Sequence, residues 1–172
     1  MARIDVDEAA VYQSIVDRLI RGQLGLNQTN CYETAEPVNP GIPPGGEYFV
    51  TVSPGESQFD GELFEGGGTL QLTQIASVVV TIFTRIKLDR ANHDHELLHD
   101  AGRGLYPLTK KLLAAMAAAD LTTGLAGDTY LRWLAKPVSA SGIKVGSSVA
   151  NNPAKLAWRH ITFSIAWDWD LT

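Results

Sequence analysis

Residues 161–171 read ITFSIAWDWDL, and this stretch decides the fold. Every second residue in it is apolar, with Thr162, Ser164 and Asp168 among the residues between them. Because successive side chains of a strand point to opposite faces of a sheet, the pattern predicts one core face and one wet face. The residues predicted to lie on the core face are Ile161, Phe163, Ile165, Trp167, Trp169 and Leu171.

An amphipathic helix near the N-terminus is predicted to cover this core face. It runs from about Asp5 to Gln23, and Val11, Ile15 and Leu19 lie on its broad apolar side. Gly22 marks its end. A sheet with one apolar face and a helix with one apolar side together predict a layered domain.

A second helix is predicted after residue 94, where the spacing of apolar residues changes to three and four. Gly102 and Gly104 interrupt this pattern, and we expect one helix that bends near Pro107. Its apolar stripe consists of Leu98, Ala101, Leu105, Leu108, Leu112, Ala115 and Ala119.

Two further strands are predicted between the helices. The first, Tyr48 to Ser53, is expected to stop at Pro54-Gly55. The second pattern covers 69–88, and its second half is predicted to be a central strand. About 20 residues at ~3.3 Å each would reach about 66 Å. Therefore either a bulge near 74–77 divides the strand, or part of it projects as a hairpin.

The remaining segments are predicted to be loops. Residues 27–46 contain four prolines and read as a long ordered arm, and residues 54–68 read as an acidic, mobile excursion. Thr129 to Leu134 could start another strand, followed by a polar loop before the last strand begins near Leu156. The sequence thus predicts one α+β domain over 1–172: a mixed, mostly antiparallel sheet with two helices on one face and long loop or hairpin excursions.

Composition limits the classes of function. The formal charge of −5 and the scattered 14 Lys and Arg argue against a nucleic-acid-binding face. Cys31 is the only cysteine, and the opening residues resemble no secretory signal, so we expect folding in a cytoplasm. The longest apolar runs fall far short of the roughly 20 residues that span a bilayer, and we expect no membrane contact.

The strongest chemical motif is His95-Glu96-Leu97-Leu98-His99, which fits the H-E-x-x-H pattern of zinc hydrolases. The longer protease pattern fails because Leu105 stands where a third His is needed. We therefore expect no metal and no enzymatic activity, and a small zinc-dependent hydrolase using His95, Glu96 and His99 remains a remote alternative. Residues that could complete such a site are His93, Asp94 and Asp100.

The acidic excursion is the other candidate site. Its glycine-rich setting offers no rigid support for a catalytic carboxylate pair, which favours a solvated or partner-binding segment. Cys31 lacks an adjacent basic residue that would activate a thiol, so it is predicted to be a small loop or core residue. No cofactor is expected. The residues predicted to form a partner or ring interface are Glu56, Asp60, Glu62 and Glu65.

The order and lengths of these elements resemble the tail terminators of long-tailed (siphovirus-type) bacteriophages, of the lambda minor tail protein U type. The resemblance covers nearly the whole chain. The segments that carry it are the N-terminal helix ending near Gly22, the Pro-rich loop, the strands Glu47–Val52 and Val78–Leu88, the helix with Gly104-Leu105-Tyr106-Pro107-Leu108, and the strand Ile161–Leu171.

The resemblance implies a structural virion protein of the tail or neck, assembled in the bacterial host cytoplasm. Such a subunit forms a ring, usually a hexamer, which caps the tail tube, stops its polymerisation and presents a joining surface to a neck or head-completion protein. Genomic DNA passes through the ring without sequence-specific binding. A neck, head-closure or other tail-tube-related ring protein is the alternative. The acidic excursion is expected to face either a partner ring or the channel.

Overall fold

The computed structural model describes residues 8–22, 24–35, 46–61, 71–85, 93–117, 136–147 and 155–170. The fold is α+β, as predicted, and the described residues form a six-stranded, mostly antiparallel sheet and three helices. The elements in chain order are α1 (Glu8–Arg21), β1 (Cys31–Glu33), β2 (Tyr48–Gly61), β3 (Gln71–Arg85), α2 (His93–His99), α3 (Leu105–Ala117), β4 (Lys136–Ala140), β5 (Lys144–Ser147) and β6 (Lys155–Asp170).

The sheet has the strand order β1-β2-β3-β6-β4, and β5 pairs with β6 beyond the end of β4. Among the described strands, β1 and β2 form the one parallel pair. β3 pairs with β6 from end to end and with β2 over most of its length, so the prediction of a central strand is confirmed. The strand order leaves β1 and β2 at one side of the sheet and β4 and β5 at the other.

The main core lies between the sheet and the helices α1 and α3. On β6, the alternation predicted from the sequence is confirmed at four buried positions, Ile161, Phe163, Ile165 and Trp167. The two helices approach closely where α1 ends, because a Cβ atom on Gly22 would lie 2.9 Å from the Cβ of Ala115. We call the side of the sheet that carries α1 and α3 the helix face.

The prediction that the opposite face of the sheet is wet is wrong at one end. There, Phe49, Phe83 and Leu156 form a second buried cluster, and the rings of Phe49 and Phe83 stack with centroids 4.6 Å apart. β2, β3 and β6 each place a large ring at the same level of the sheet, since Phe83 is the register partner of both Phe49 and Trp158. Adjacent rings on one face bury each other.

β2 does not stop at Ser53, and its continuation corrects two predictions. It runs to Gly61, so the first part of the predicted acidic loop is strand. The register shifts between Pro54 and Ser57, which places the bulge in β2 and not within 74–77. A bulge accepts Pro54 because a proline, which lacks an N–H, is tolerated where the ladder of hydrogen bonds is interrupted. It also suits Gly55, because a Cβ atom at this position would lie only 2.8 Å from the Ser77 carbonyl oxygen.

The predicted second helix is two helices, and the break lies at Asp100–Gly104 instead of Pro107. The Asp100 carboxylate accepts hydrogen bonds from the N–H groups of Gly102 and Arg103, at 2.8 and 2.9 Å, which turns the chain. α3 then begins at Leu105. Pro107 lies in its first turn, where a missing N–H costs nothing. Of the predicted stripe, Ala101 is exposed.

Three short strands lie within segments predicted as loops. β1 lies within the predicted arm 27–46, and β4 and β5 lie within the predicted polar loop before β6. Outside the described residues lie the predictions for 1–7, 23, 36–45, 62–70, 86–92, 118–135, 148–154 and 171–172, together with the predicted burial of the Trp169 side chain. Among the helices that the structure describes, none has the length and apolar content needed to cross a bilayer.

Candidate functional site

The outer half of β2 is the most exposed regular segment of the sheet. Residues 54–60 are all exposed, and Phe59 keeps 60% of its surface accessible. Two of the predicted interface residues, Glu56 and Asp60, lie here, whereas Glu62 and Glu65 lie outside the described residues. β1 pairs with β2 only as far as Val52. Among the described residues, no strand therefore pairs with the outer edge of β2 beyond the bulge.

The side chains of this segment divide between the two faces of the sheet. Phe59 is the register partner of Gln74, which in turn pairs with the buried Trp167, so Phe59 lies on the helix face. Asp60 is its neighbour in the strand and lies on the opposite face. Gly55 and Glu56 form the bulge opposite Ser77, where the regular alternation of side chains between the two faces is interrupted. The segment thus presents the Phe59 ring on one face, the Asp60 carboxylate on the other, and Glu56 in the bulge at its start.

The other side of the sheet, formed by β4 and β5, is exposed and differs in chemistry. Val138 and Val145 keep 64% and 61% of their surfaces accessible. Lys144 is exposed and pairs with Trp158, which places it on the face opposite the helices, whereas Val145 pairs with the core residue Ala157 on the helix face. Among the described residues, no strand pairs with the outer edge of β4 or β5.

A groove of about 390 Å³ opens on the helix face beside β5. The exposed ring of Tyr106 lies 6.0 Å from the Arg159 guanidinium carbon. Arg159 also donates hydrogen bonds to the carbonyl oxygen of Ser141, at 3.1 Å, and to the hydroxyl of Thr109, at 3.5 Å, so its side chain is held in place. The residues that line the groove include Leu97, Leu98, Tyr106, Ile143, Val145 and Arg159.

The residues of the zinc-like motif lie on α2. His95 and His99 are exposed, with ring centroids 4.8 Å apart, and the His99 ring meets Tyr106 edge-on at 5.3 Å. The Glu96 carboxylate accepts a 2.8 Å hydrogen bond from Arg103, whose side chain is nearly buried. Glu96 thus neutralises a buried guanidinium next to the α2–α3 turn. Within the described residues, no group of three or more His, Cys, Asp or Glu is placed to hold a metal.

His160, which is partly buried, and Cys31, which is buried, are among the groups whose pKa values are shifted. Burial, with Lys144 as a smaller cause, lowers the pKa of His160, whose Nδ1 lies 2.8 Å from the Thr81 hydroxyl oxygen. Burial and the nearby Asp17 raise the pKa of Cys31 to about 12. The Cys31 thiol is 1% exposed and is a core residue, as predicted. Neither group borders the exposed segment of β2.

Sequence reasoning located the acidic residues of the exposed β2 segment but missed Phe59, Lys144 and the groove. The signal for Phe59 is its place between Gln58 and Asp60, because one apolar residue between polar ones is typical of a strand. Nothing local predicts the groove, since its walls come from α2, α3 and β5. No protein-family model and no curated protein sequence matches this chain.

Proposed function

We propose that this protein is a structural subunit of a phage tail, a tail terminator that forms a homo-oligomeric ring on the last ring of the tail tube. The ring stops polymerisation of the tube and offers a joining surface to a neck or head-completion protein. The proposal assigns no catalytic role and no cofactor to the chain. It places the protein in the virion, with assembly in the bacterial host cytoplasm.

One observation carries the ring: the two exposed sides of the sheet have unlike chemistry. The β2 side presents Glu56, Phe59 and Asp60, and the β5 side presents Lys144, Val145 and an apolar groove. A contact between two different surfaces of the same subunit is heterologous. Repetition of such a contact gives a closed ring when the rotation closes. Among ring-forming proteins, a tail terminator is favoured because the order of elements in this chain resembles that of tail terminators.

Charge supports a subunit through which DNA passes. The chain carries a formal charge of −5. Two of its carboxylates, Glu56 and Asp60, are exposed in the described part of the predicted interface. Negative groups along a channel repel DNA phosphates, whereas a basic lining would bind them. The acidic segment therefore suits a wall of the channel as well as a contact with a partner ring.

Deletion of this gene from its phage tests the proposal. We expect overlong tails, because nothing would stop growth of the tube, and we expect these overlong tails to lack heads, because the joining surface would be missing. Tube length in electron micrographs is the measurement. Supplying the purified protein to the mutant extract should restore tails of normal length.

Normal, complete tails in the deletion phage would refute the proposal. Tails of normal length that lack heads would instead assign the protein to the neck, where head-closure proteins join the same tube.

A further inference from the structure

We propose that the exposed segment of β2, with Glu56 and Phe59, docks onto the β5 side of a second copy of this chain, where Lys144 and the groove lie. The inference rests on the proposed ring and names the two surfaces that build it. The Phe59 ring of the neighbouring copy occupies the groove.

The directions of the strands allow this contact. β3 runs antiparallel to β2, β6 antiparallel to β3, and β5 antiparallel to β6. When two copies stand side by side in the same orientation, β2 of one copy therefore runs antiparallel to β5 of the other. Antiparallel edges can exchange backbone hydrogen bonds directly, and strand addition at an open sheet edge is a common mode of recognition.

The faces of the two surfaces also match. When a sheet continues from one copy to the next, its helix face continues as well. Phe59 then lies on the same face as Val145 and the groove, and Glu56 lies in the bulge three residues before it. A shift of one residue would place Phe59 on the face away from the groove, so this agreement is a specific requirement for docking.

The charges are complementary at this contact. Glu56 and Lys144 are both exposed, and within the described residues neither side chain forms an ion pair. Glu56 lies opposite Ser77 of β3, and Ser77 pairs with Ser164 of β6. Lys144 pairs with Trp158, which precedes Ser164 on the same strand. The two copies would thus be offset by about six residues, or about 20 Å along the strand direction. Closure of a sheet into a ring demands a stagger of this kind.

Phe59 provides the apolar anchor. It is the most exposed aromatic ring on the described surface, whereas the groove offers apolar walls from Leu97, Val145 and Tyr106. Aromatic side chains that enter a partner's pocket supply much of the affinity in such interfaces. Burial of Phe59 would also remove an exposed aromatic from an open strand edge, where it invites aggregation.

A mixing experiment with two charge-reversal variants tests the contact. Glu56→Lys alone and Lys144→Glu alone should each raise the concentration needed for ring formation about tenfold, because every contact then juxtaposes like charges. An equimolar mixture of the two variants should form rings again, since alternating copies place unlike charges at every contact. Mass photometry across a concentration series measures the assembly.

Conservative variants are the matched controls. Glu56→Asp and Lys144→Arg keep the charges and should assemble like the unmodified protein. Phe59→Ala should weaken assembly, whereas Ile75→Ala, a truncation of another exposed apolar residue on the opposite face, should not. Circular dichroism of each variant verifies that it is folded.

The outcomes separate this inference from the proposed function. Rings that form equally well from each charge-reversal variant would overturn the docking surface and leave the ring proposal in place. An unmodified protein that stays monomeric at every concentration would overturn both. Restoration of rings by the mixture, and by neither variant alone, would establish the contact.

Discussion

At the scale of single residues, burial on the helix face decides stability. Ile165 is fully buried between the sheet and the helices, whereas Ile75, on the neighbouring strand, keeps 40% of its surface accessible. We expect Ile165→Ala to lower the free energy of unfolding by about 2–5 kcal/mol, through lost burial and the cavity left behind. The matched change Ile75→Ala should cost less than about 1 kcal/mol. Urea unfolding measures both, and equal losses would contradict the assigned faces.

His160 predicts how stability depends on pH. Burial and Lys144 lower its pKa in the folded state below the ordinary 6.5, so the unfolded chain takes up the proton first as pH falls. The contribution of His160 to the free energy of unfolding is therefore fully present above about pH 6.5 and decreases as pH falls toward the lowered pKa. His160→Gln should flatten this part of the curve of unfolding free energy against pH. An unchanged slope between pH 7 and 5 would contradict the assignment.

At the scale of elements, the turn between α2 and α3 depends on one glycine. A Cβ on Gly104 would lie 2.6 Å from the backbone nitrogen and oxygen of Asp100, whereas a Cβ on Gly102 would approach only the Asp100 carboxylate, at 3.3 Å. Gly104→Ala should therefore destabilise the fold by about 1–3 kcal/mol, because the backbone must move. Gly102→Ala is the control, with little effect expected. Thermal unfolding compares them, and equal melting temperatures would count against the turn geometry.

α2 also carries the zinc-like motif, to which we assign a structural role. We expect the purified protein to contain no stoichiometric zinc, and His95→Ala combined with His99→Ala to leave assembly intact. The motivation is that Leu105 stands where a third ligand is needed, and that Glu96 pairs with Arg103. Elemental analysis is the measurement. One tightly held zinc per chain would favour the hydrolase alternative instead.

Long elements were predictable from sequence because their patterns are long. β6 and β3 carry a two-residue alternation over many residues, and α1 has a regular apolar side. β4 is exposed throughout and contains Pro137, so it has no alternation to detect. In the second helical region, the apolar spacing continues across the break, and the Asp100 turn that ends α2 depends on hydrogen bonds that spacing does not report.

The candidate site was predictable only in part, for a similar reason. Glu56 and Asp60 were identified by their charge, which is visible in the sequence alone. Their role as strand residues depends on pairing with β3, and a strand edge depends on which neighbours are absent. Lys144 becomes a candidate contact residue only because β5 pairs with β6, which follows it in the chain, and so lies at the opposite side of the sheet. Such relations arise only when the chain is folded.

At the scale of the whole molecule, we propose a subunit whose two unlike surfaces allow repetition. One side of its sheet is acidic with an aromatic ring, and the other is basic with an apolar groove. The two sides are joined by β3 and β6, which pair along their full length and can hold the surfaces at a fixed separation. A rigid subunit with two unlike surfaces, repeated by rotation, forms a ring of defined size.

The most direct test of this central claim is the size and shape of the purified protein in solution, measured by negative-stain electron microscopy together with mass photometry. The account predicts closed rings with one subunit count, most simply six, and an open central channel. Monomers at every concentration, or open filaments without closure, would contradict it.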